Sequence, residues 1–272
     1  MQVAVLQMNS GADRQANLAQ AADLLAQAAA AGAEMAVLPE HFSHMQSEGI
    51  LPARPEPLRG RLFAWLADQA RGHGLWLVGG SFNQRVAGHR RIYNTCPVLD
   101  PAGELAAYYQ KAHLFDLDMP GHQTLRESAF VLPGRRLVTV DTPAGKLGLS
   151  ICYDLRFAEL YRRLRLKGAE VLTCPSAFTK VTGQAHWDIL VRARAVENAC
   201  FVLAAAQWGS HGQGRESFGH AMIVNPWGEI LAQCPEGVGW AMAEVDPDQV
   251  ADWRSRLDST AHARFLPAAW RR

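Results

Sequence analysis

Residues 147–161 are LGLSICYDLRFAELY, a short apolar run that leads through Cys152 into a segment with helical spacing. The run at 147–151 has the length and composition of a buried strand, and residues 157–167 have the apolar spacing of a helix that Gly168 can end. A strand that passes into a helix is typical of α/β proteins, whose connected strands are largely parallel. The stretch therefore predicts an α/β fold with Cys152 at the carboxyl end of a strand.

The same alternation of strand and helix continues on both sides of this stretch. In the first half the pattern predicts strands at 3–8, 35–38, 75–78, 93–99 and 104–109, with helices at 14–31 and 61–73. In the second half it adds strands at 171–174, 201–206, 220–224, 229–233 and 240–245, with a helix at 185–198. Each half follows the order β-α-β-α-β-β-β, which predicts two packed sheets with helices outside. Polar or glycine-rich stretches are predicted as loops: 83–91, 116–134 and 209–218.

The composition describes a globular chain and excludes several classes of function. Of the 272 residues, 49% are hydrophobic and 19% are charged, which excludes wholesale disorder. The 27 Lys and Arg residues nearly balance the 26 Asp and Glu residues, so the net charge of +1 gives no support for binding nucleic acid or a membrane surface. We expect one domain over 1–272, with a sandwich at about 1–245 and a tail at about 246–272.

The short apolar runs and the spacing of the cysteines both favour a protein of a reducing compartment such as the cytoplasm. The apolar stretches fall short of the roughly 18 residues of a membrane span, and the opening MQVAVLQMNS lacks the basic region of a signal peptide. The five cysteines, at 96, 152, 174, 200 and 234, are odd in number and contain no CxxC pair. Neither a disulfide framework nor a zinc knuckle is therefore predicted.

Three residues that follow predicted strands carry groups suited to acyl transfer. Cys152 lies where backbone N–H groups at a helix start can lower a thiol pKa and hold an oxyanion. Glu40 follows Ala-Val-Leu-Pro, where partial burial would raise its pKa into the range of a general base. Lys111 follows Tyr-Tyr-Gln and could stabilise a developing oxyanion. A structural cysteine, a turn glutamate and a surface lysine are the alternatives, but together the three supply a nucleophile, a base and an oxyanion partner.

Three segments that contain these residues resemble the signature segments of the nitrilase superfamily of carbon–nitrogen hydrolases. They are LPE at 38–40, YYQKAHLFD at 108–116 and LSICYDLRFAELY at 149–161. The resemblance implies a four-layer α-β-β-α sandwich and catalysis without a metal or an organic cofactor. It assigns Glu40 as the general base, Lys111 as the cationic acid and oxyanion partner, and Cys152 as the nucleophile. A second glutamate that supports the lysine falls on Glu127.

Within that superfamily, the second half of the chain is similar to one branch. Residues 143–154, 174–198 and 204–229 resemble the deaminated glutathione amidases, whose near relatives are ω-amidases acting on α-ketoglutaramate. Phe218 stands where that branch usually has tyrosine, and Asn225 where it usually has aspartate. The resemblance implies hydrolysis of a primary carboxamide through a Cys thioester, with release of ammonia and with deaminated glutathione as the favoured substrate. Hydrolysis of α-ketoglutaramate, a nitrile or a carbamoyl amine, and a non-catalytic binding role, remain open.

Four residues near the predicted strand ends are candidates for contacting a small-molecule amide substrate: Tyr153, Phe178, Thr179 and Trp187. The backbone N–H of Tyr153 would help to hold the oxyanion. For the other three, packing in the core or in a turn is the alternative interpretation. Arg156 and Glu159, at i and i+3, are expected to pair with each other.

Several histidines near the candidate residues raise the alternative of a metal site: His41, His44, His113 and His122. Metal ligands normally converge as three or four residues with supporting hydrogen bonds. The sequence has neither an H-E-x-x-H motif nor a carboxylate cluster that would complete such a set. We therefore predict no metal.

The resemblance also implies a homodimer. The tail carries aromatic residues, Phe265 and Trp270, that could pack either on a partner or on the sandwich of the same chain. The sequence does not decide between these two arrangements.

Overall fold

The computed structural model describes residues 1–45, 55–118, 125–212, 214–265, 267 and 270. Its helices are α1 (Arg14–Ala30), α2 (Arg61–His73), α3 (Ala158–Leu166), α4 (Lys180–Asn198) and α5 (Pro247–Arg256). The first strands are β1 (Gln2–Met8), β2 (Met35–Val37), β3 (Trp76–Val78), β4 (Phe82–Gln84), β5 (Tyr93–Leu99), β6 (Leu105–Gln110), β7 (Asp116–Leu117) and β8 (Leu125–Arg126). The later strands are β9 (Thr139–Thr142), β10 (Gly145–Leu149), β11 (Val171–Thr173), β12 (Phe201–Ala204), β13 (Ala206–Ser210), β14 (Glu216–Phe218), β15 (Met222–Val224), β16 (Ile230–Gln233) and β17 (Gly239–Glu244). Across the described ranges, none of the helices combines the length and the apolar content needed to cross a bilayer.

Two mixed sheets form the centre of the fold, and each repeats the same series of pairings. In the first sheet, β1, β2 and β3 are parallel neighbours, and β5 and β6 follow in antiparallel order. In the second sheet, β10, β11 and β12 are parallel neighbours, and β15 and β16 follow in antiparallel order. The pseudo-twofold order predicted from the two halves is therefore confirmed in the strand pairing.

The alternation of side chains along β1 determines how the layers stack, because successive residues of a strand point to opposite faces. Val3 and Val5 lie in the core between the sheets, together with Leu147 of β10. Ala4 and Leu6 point the other way and pack under α1 and α2. On the far side, α3 and α4 cover the second sheet. The order helix, sheet, sheet, helix confirms the four-layer α-β-β-α sandwich.

Several elements differ from the sequence-based prediction for identifiable reasons. The single strand predicted at 201–206 is two strands, because the chain changes sheet there: β12 pairs with β11 and β13 pairs with β1. Helix α4 begins at Lys180 rather than near 185, because the Thr179 side chain accepts a hydrogen bond from the backbone N–H of Thr182 and caps the first turn. The predicted loops contain the short strands β4, β7, β8 and β14, and the predicted tail contains α5.

Candidate active site

Glu40 and Lys111 reach the space between the sheets from two strands of the first sheet. Glu40 stands three residues after the end of β2, and Lys111 directly follows β6. The backbone N–H of Lys111 donates to Asn94 O at 2.9 Å, and its carbonyl accepts from Gly134 N–H at 2.8 Å. Residue 134 must be glycine, since a Cβ there would lie 2.0 Å from the carbonyl oxygen of Gln110. The backbone on both sides of Lys111 is thus fixed.

The Lys111 ammonium lies between two carboxylates. Its Nζ is 3.0 Å from Oε1 of Glu40, and it is 2.9 Å from Oε2 and 3.1 Å from Oε1 of Glu127. Lys111 and Glu40 are each only 2% exposed. Burial alone would lower the pKa of Lys111, but the charges of Glu127 and Glu40 outweigh it and raise that pKa well above its ordinary value. Lys111 therefore remains a cation at the centre of the site.

Cys152 enters the site from the second sheet on an unusual backbone turn. It follows β10 and opens the short 3-10 turn Cys152–Arg156 with a φ of +46°. This left-handed conformation costs a non-glycine residue about 1–3 kcal/mol and is concentrated at functional sites. The backbone N–H of Cys152 donates to Pro175 O at 3.0 Å, which holds the turn. The side chain is 7% exposed.

The thiol of Cys152 lies close enough to the Glu40 carboxylate and to the backbone N–H of Ala177 for both to affect its pKa. Burial and the charge of Glu40 raise the pKa of Cys152 well above its ordinary value, against the lowering effects of Lys111 and Ala177. Burial would also raise the pKa of Glu40, but Lys111, His41 and Cys152 bring it down to about 2. The expectations of a raised pKa at Glu40 and of a lowered pKa at Cys152 are therefore both wrong. The site holds a protonated thiol beside an ionised carboxylate that can receive its proton.

Asn94 is a polar residue of the site that the sequence patterns do not single out. It is fully buried in β5, and its Nδ2 donates to Oε1 of Glu40 at 2.9 Å. The backbone carbonyl of Asn94 also accepts from the backbone N–H of Lys111. Asn94 therefore bonds both the Glu40 side chain and the backbone of Lys111. Gln207 of β13 adds a hydrogen bond from Nε2 to Glu40 O at 3.0 Å. The one available signal for Asn94 is an asparagine within the otherwise largely apolar strand YNTCPVL.

Tyr153 directly follows the cysteine, and Phe178 lies in the same buried cluster as Cys152; we call these two rings the aromatic wall because Arg156 lies against both. Phe178 is buried, whereas Tyr153 is partly exposed. The guanidinium of Arg156 lies 5.2 Å from the ring centroid of Phe178 and 5.9 Å from that of Tyr153. Its Nη1 donates to Nδ1 of His186 at 3.2 Å. Arg156 is thus directed toward the wall and His186 rather than into the expected pairing with Glu159.

The other two pocket candidates are engaged in packing and capping. Trp187 is only 1% exposed, packs edge-on against Phe178 with ring centroids 5.0 Å apart, and donates from Nε1 to His220 O at 2.8 Å. The Thr179 hydroxyl caps α4 and lies 2.8 Å from that of Thr182. These contacts are the core packing of Trp187 and the turn capping of Thr179 that the sequence offered as the alternatives to a role in substrate binding.

The histidines considered as metal ligands have other surroundings. His41 Nε2 lies 3.9 Å from Oε1 of Glu40, and burial, with the charges of Arg215 and Lys111, lowers the pKa of His41 to about 4. The His113 ring contacts the buried carboxylate of Asp154, and His122 lies outside the described residues. In the part of the chain that the structure describes, no group of three or more His, Cys, Asp or Glu side chains is arranged to hold a metal ion.

Comparison with known proteins identifies the family to which the chain belongs. A model of the carbon-nitrogen hydrolase family matches residues 2–255. The chain is 44% identical over 269 residues to deaminated glutathione amidase of Mus musculus, which covers 96% of this chain and 83% of that protein. It is 41% identical over 266 residues to deaminated glutathione amidase of Synechocystis sp., covering 97% and 98% of the two chains.

A solved structure gives the same result for the fold. The crystal structure of the C. elegans NitFhit protein matches with a TM-score of 0.86 at 39% identity, covering 97% of this chain and 65% of that longer chain. The resemblance found in the three signature segments is therefore confirmed, and the chain belongs to the carbon–nitrogen hydrolase family.

Proposed function

We propose that this protein is a cysteine amidase that hydrolyses deaminated glutathione, with Cys152 as nucleophile, Glu40 as general base and Lys111 as oxyanion partner. The observation that carries the chemistry is the hydrogen-bonded series Glu40, Lys111 and Glu127 beside the buried Cys152 thiol, whose pKa Glu40 and Lys111 both affect. The choice of substrate is supported by relatives named deaminated glutathione amidase, which are 41–44% identical over nearly the whole chain.

Acylation begins with attack of the Cys152 sulfur on the amide carbonyl carbon while Glu40 takes the thiol proton. The carbonyl oxygen becomes an oxyanion that Lys111 stabilises. The backbone N–H of Tyr153 assists, because it lies in the first turn of the 3-10 helix, where N–H groups are not used by the helix itself. Glu40 then gives its proton to the departing nitrogen, the C–N bond breaks, and a thioester to Cys152 remains.

Deacylation uses the same groups in reverse order. Glu40, again ionised, takes a proton from water as the water oxygen attacks the thioester carbonyl. Lys111 stabilises the second oxyanion, and the C–S bond breaks to give the acid product. The proton on Glu40 returns to the sulfur of Cys152. Glu127 holds Lys111 between the two carboxylates throughout and keeps it charged.

The leaving group differs from the one implied by the sequence resemblance. Glutathione is γ-glutamyl-cysteinyl-glycine, so its deaminated form contains only secondary amides. Cleavage next to the five-carbon 2-oxo acid therefore releases the amine of cysteinylglycine rather than ammonia. A primary carboxamide and ammonia release fit α-ketoglutaramate, the ω-amidase alternative. The amine released is thus the most direct marker of the substrate.

A panel of substrates tests the proposal: deaminated glutathione, α-ketoglutaramate, glutamine, a simple nitrile and an N-carbamoyl amine. We expect the highest kcat/KM for deaminated glutathione, with cysteinylglycine released in equal amount to the 2-oxo acid. A higher value for α-ketoglutaramate, with ammonia release, would transfer the assignment to ω-amidase. Turnover of none of the five, together with a Cys152 that does not react with iodoacetamide, would favour a non-catalytic role.

Arg156 is the residue we propose to bind the 2-oxo acid carboxylate, since its guanidinium lies against the aromatic wall beside the cysteine. Hydrogen bonds to charged groups contribute about 1.5–3 kcal/mol, or roughly 10–100-fold. Arg156→Ala should therefore raise KM by about that factor for both deaminated glutathione and α-ketoglutaramate, with kcat changed less. Arg71→Ala, which removes an exposed arginine of α2, is the matched control. Unchanged KM values for Arg156→Ala would exclude this role.

We also propose a homodimer that buries the exposed apolar face of α4. Ile189 and Val196 are 66% and 53% exposed on this helix, and the neighbouring Trp227 is 52% exposed. Light scattering at micromolar concentration should give a mass of twice 29.8 kDa for the wild type. Ile189→Glu should shift the mass to that of a single chain, because a charge cannot be buried unpaired, whereas Gln15→Glu on α1 should not. A wild-type mass of one chain would contradict the dimer.

The proposed chemistry also favours a reducing compartment such as the cytoplasm. The nucleophile must remain a free thiol between turnovers. All five cysteines of the chain, at 96, 152, 174, 200 and 234, are free and buried. Disulfides, which are typical of exported proteins, are therefore not part of this structure.

A further inference from the structure

Another buried carboxylate, that of Asp154, lies beside Cys152, and no step of the proposed reaction uses it. Asp154 stands two residues after Cys152 in the 3-10 turn and is fully buried. A buried charge is costly unless hydrogen bonds satisfy it, so the donors around Asp154 indicate what its charge is used for.

Each carboxylate oxygen of Asp154 accepts two hydrogen bonds. Oδ2 accepts from the Tyr109 hydroxyl at 2.8 Å and from the backbone N–H of Ile151 at 2.9 Å. Oδ1 accepts from the backbone N–H of His113 at 3.0 Å and contacts Nδ1 of the same residue at 2.7 Å. Because a carboxylate only accepts, Nδ1 of His113 carries a proton in this contact. All four acceptor positions are filled by the protein.

These donors lie next to the two reactive residues, Lys111 beside the first sheet and Cys152 beside the second. Tyr109 and His113 lie two residues before and two residues after Lys111, and Ile151 directly precedes Cys152. The turn that carries Lys111 is tied to Asp154 directly at Tyr109 and His113. It is also tied through the Tyr109 hydroxyl, which accepts from the backbone N–H of Ala112 at 3.1 Å. The Lys111 turn and the Cys152 turn thus share one carboxylate.

We infer that Asp154 is a positioning residue that sets the distance and orientation between Lys111 and Cys152 by binding the backbone turns of both. The inference rests on the roles proposed above for those two residues. Capping of the 3-10 turn alone would need only the Ile151 N–H. The Tyr109 and His113 donors belong to the opposite sheet, where they contribute nothing to that cap.

The surrounding rings keep this arrangement rigid. The His113 ring stacks on Phe157 with centroids 3.6 Å apart and planes 7° apart, which fixes the direction of its Nδ1. Burial and the charge of Asp154 raise the pKa of Tyr109 well above its ordinary value, so its hydroxyl keeps the proton that it donates. A rigid connection of this kind is required because displacement of reacting groups by about 1 Å can reduce a rate about 100-fold.

Asp154→Asn tests the inference with almost no change in shape. An amide has one acceptor oxygen, so its NH2 group must face either the Tyr109 and Ile151 donors or the two His113 donors. We expect kcat to fall about 100-fold with KM within about threefold. Alkylation of Cys152 by iodoacetamide, followed by mass spectrometry, should slow about tenfold, since reactivity depends on the groups around the sulfur. This second measurement does not depend on knowing the substrate.

Ser150→Ala is the matched control. Ser150 is also buried and lies two residues before Cys152, but it hydrogen-bonds within the second sheet and α3, to Thr173 O at 2.7 Å and to the Tyr161 hydroxyl at 2.6 Å. Both kcat and the alkylation rate of this variant should stay within about threefold of wild type. Asp154→Asn values equal to those of Ser150→Ala, or losses that match the unfolded fraction measured by circular dichroism, would overturn the inference.

Tyr109→Phe keeps the test open if Asp154→Asn does not fold, because it deletes one donor and keeps the ring. We expect kcat to fall about tenfold and alkylation of Cys152 to slow, and unchanged values would overturn the inference. If the wild type hydrolyses none of the panel substrates but the alkylation rates follow the expected order, the proposed substrate is wrong and the positioning role stands. If the wild type hydrolyses deaminated glutathione but the variants do not change the alkylation rate, the proposed substrate stands and the positioning role is wrong.

Discussion

Cys152→Ala is expected to lower turnover of deaminated glutathione by at least about 1,000-fold, because without sulfur no thioester can form. The change should leave the fold intact. A φ of +46° strains alanine about as much as it strains cysteine, so the substitution adds no new backbone strain. The group removed is small, and the residue is 7% exposed. The measurement is steady-state release of cysteinylglycine, with circular dichroism to establish the folded fraction.

Cys234→Ala is the matched control for this loss, since Cys234 is also buried and its pKa is raised by burial, to about 12. Cys234→Ala should retain the wild-type kcat and the wild-type rate of alkylation at Cys152. Residual activity of Cys152→Ala above about one part in a thousand would argue against covalent catalysis and for direct attack by water. Mass spectrometry of wild type mixed rapidly with substrate should, in addition, detect a chain that carries the acyl group.

The parallel centres of both sheets could be predicted from the sequence because their signals are local. Each of β1, β2, β10 and β11 is a short apolar run beside a helix with regular spacing, and such runs are recognisable without knowledge of their partners. Strands β13 and β14 lack this signal. Gln207 and Ser210 interrupt the apolar pattern, and the partner of β13 is β1, at the other end of the chain. Pairing over such a separation leaves no trace in the local sequence.

The candidate site divides in the same way. Glu40, Lys111 and Cys152 stand at strand ends within recognisable segments, so their proximity could be predicted. The direction of the Glu40 pKa shift could not, because the ammonium that reverses the effect of burial lies 71 positions further along the chain. Asn94 and Asp154 act through hydrogen bonds to residues from other strands. Their importance therefore becomes visible only in three dimensions.

Lys111→Met is the other substitution from which we expect a very large effect, a fall of at least about 1,000-fold in kcat/KM. One oxyanion donor is typically worth about 10²–10³ in rate. Methionine has nearly the same length but neither charge nor donor, so the oxyanion loses its cation. Without the ammonium that now lies within 3.1 Å of both, Glu40 is also left as a buried carboxylate and Glu127 as a partly buried one. The variant should therefore also unfold at a lower temperature.

The pH dependence of the remaining activity separates the two effects of Lys111. Burial raises the pKa of Glu40, and Lys111 is foremost among the groups that bring it down to about 2. Without Lys111 the carboxylate should take up a proton at higher pH, so activity should be lost at a higher pH on acidification than in wild type. Lys146→Met, which removes a partly exposed lysine paired with Asp141, should change neither rate nor profile. A Lys111→Met enzyme with less than about tenfold loss and an unshifted acid limb would show that the oxyanion is held by other groups and that Lys111 only neutralises the two glutamates.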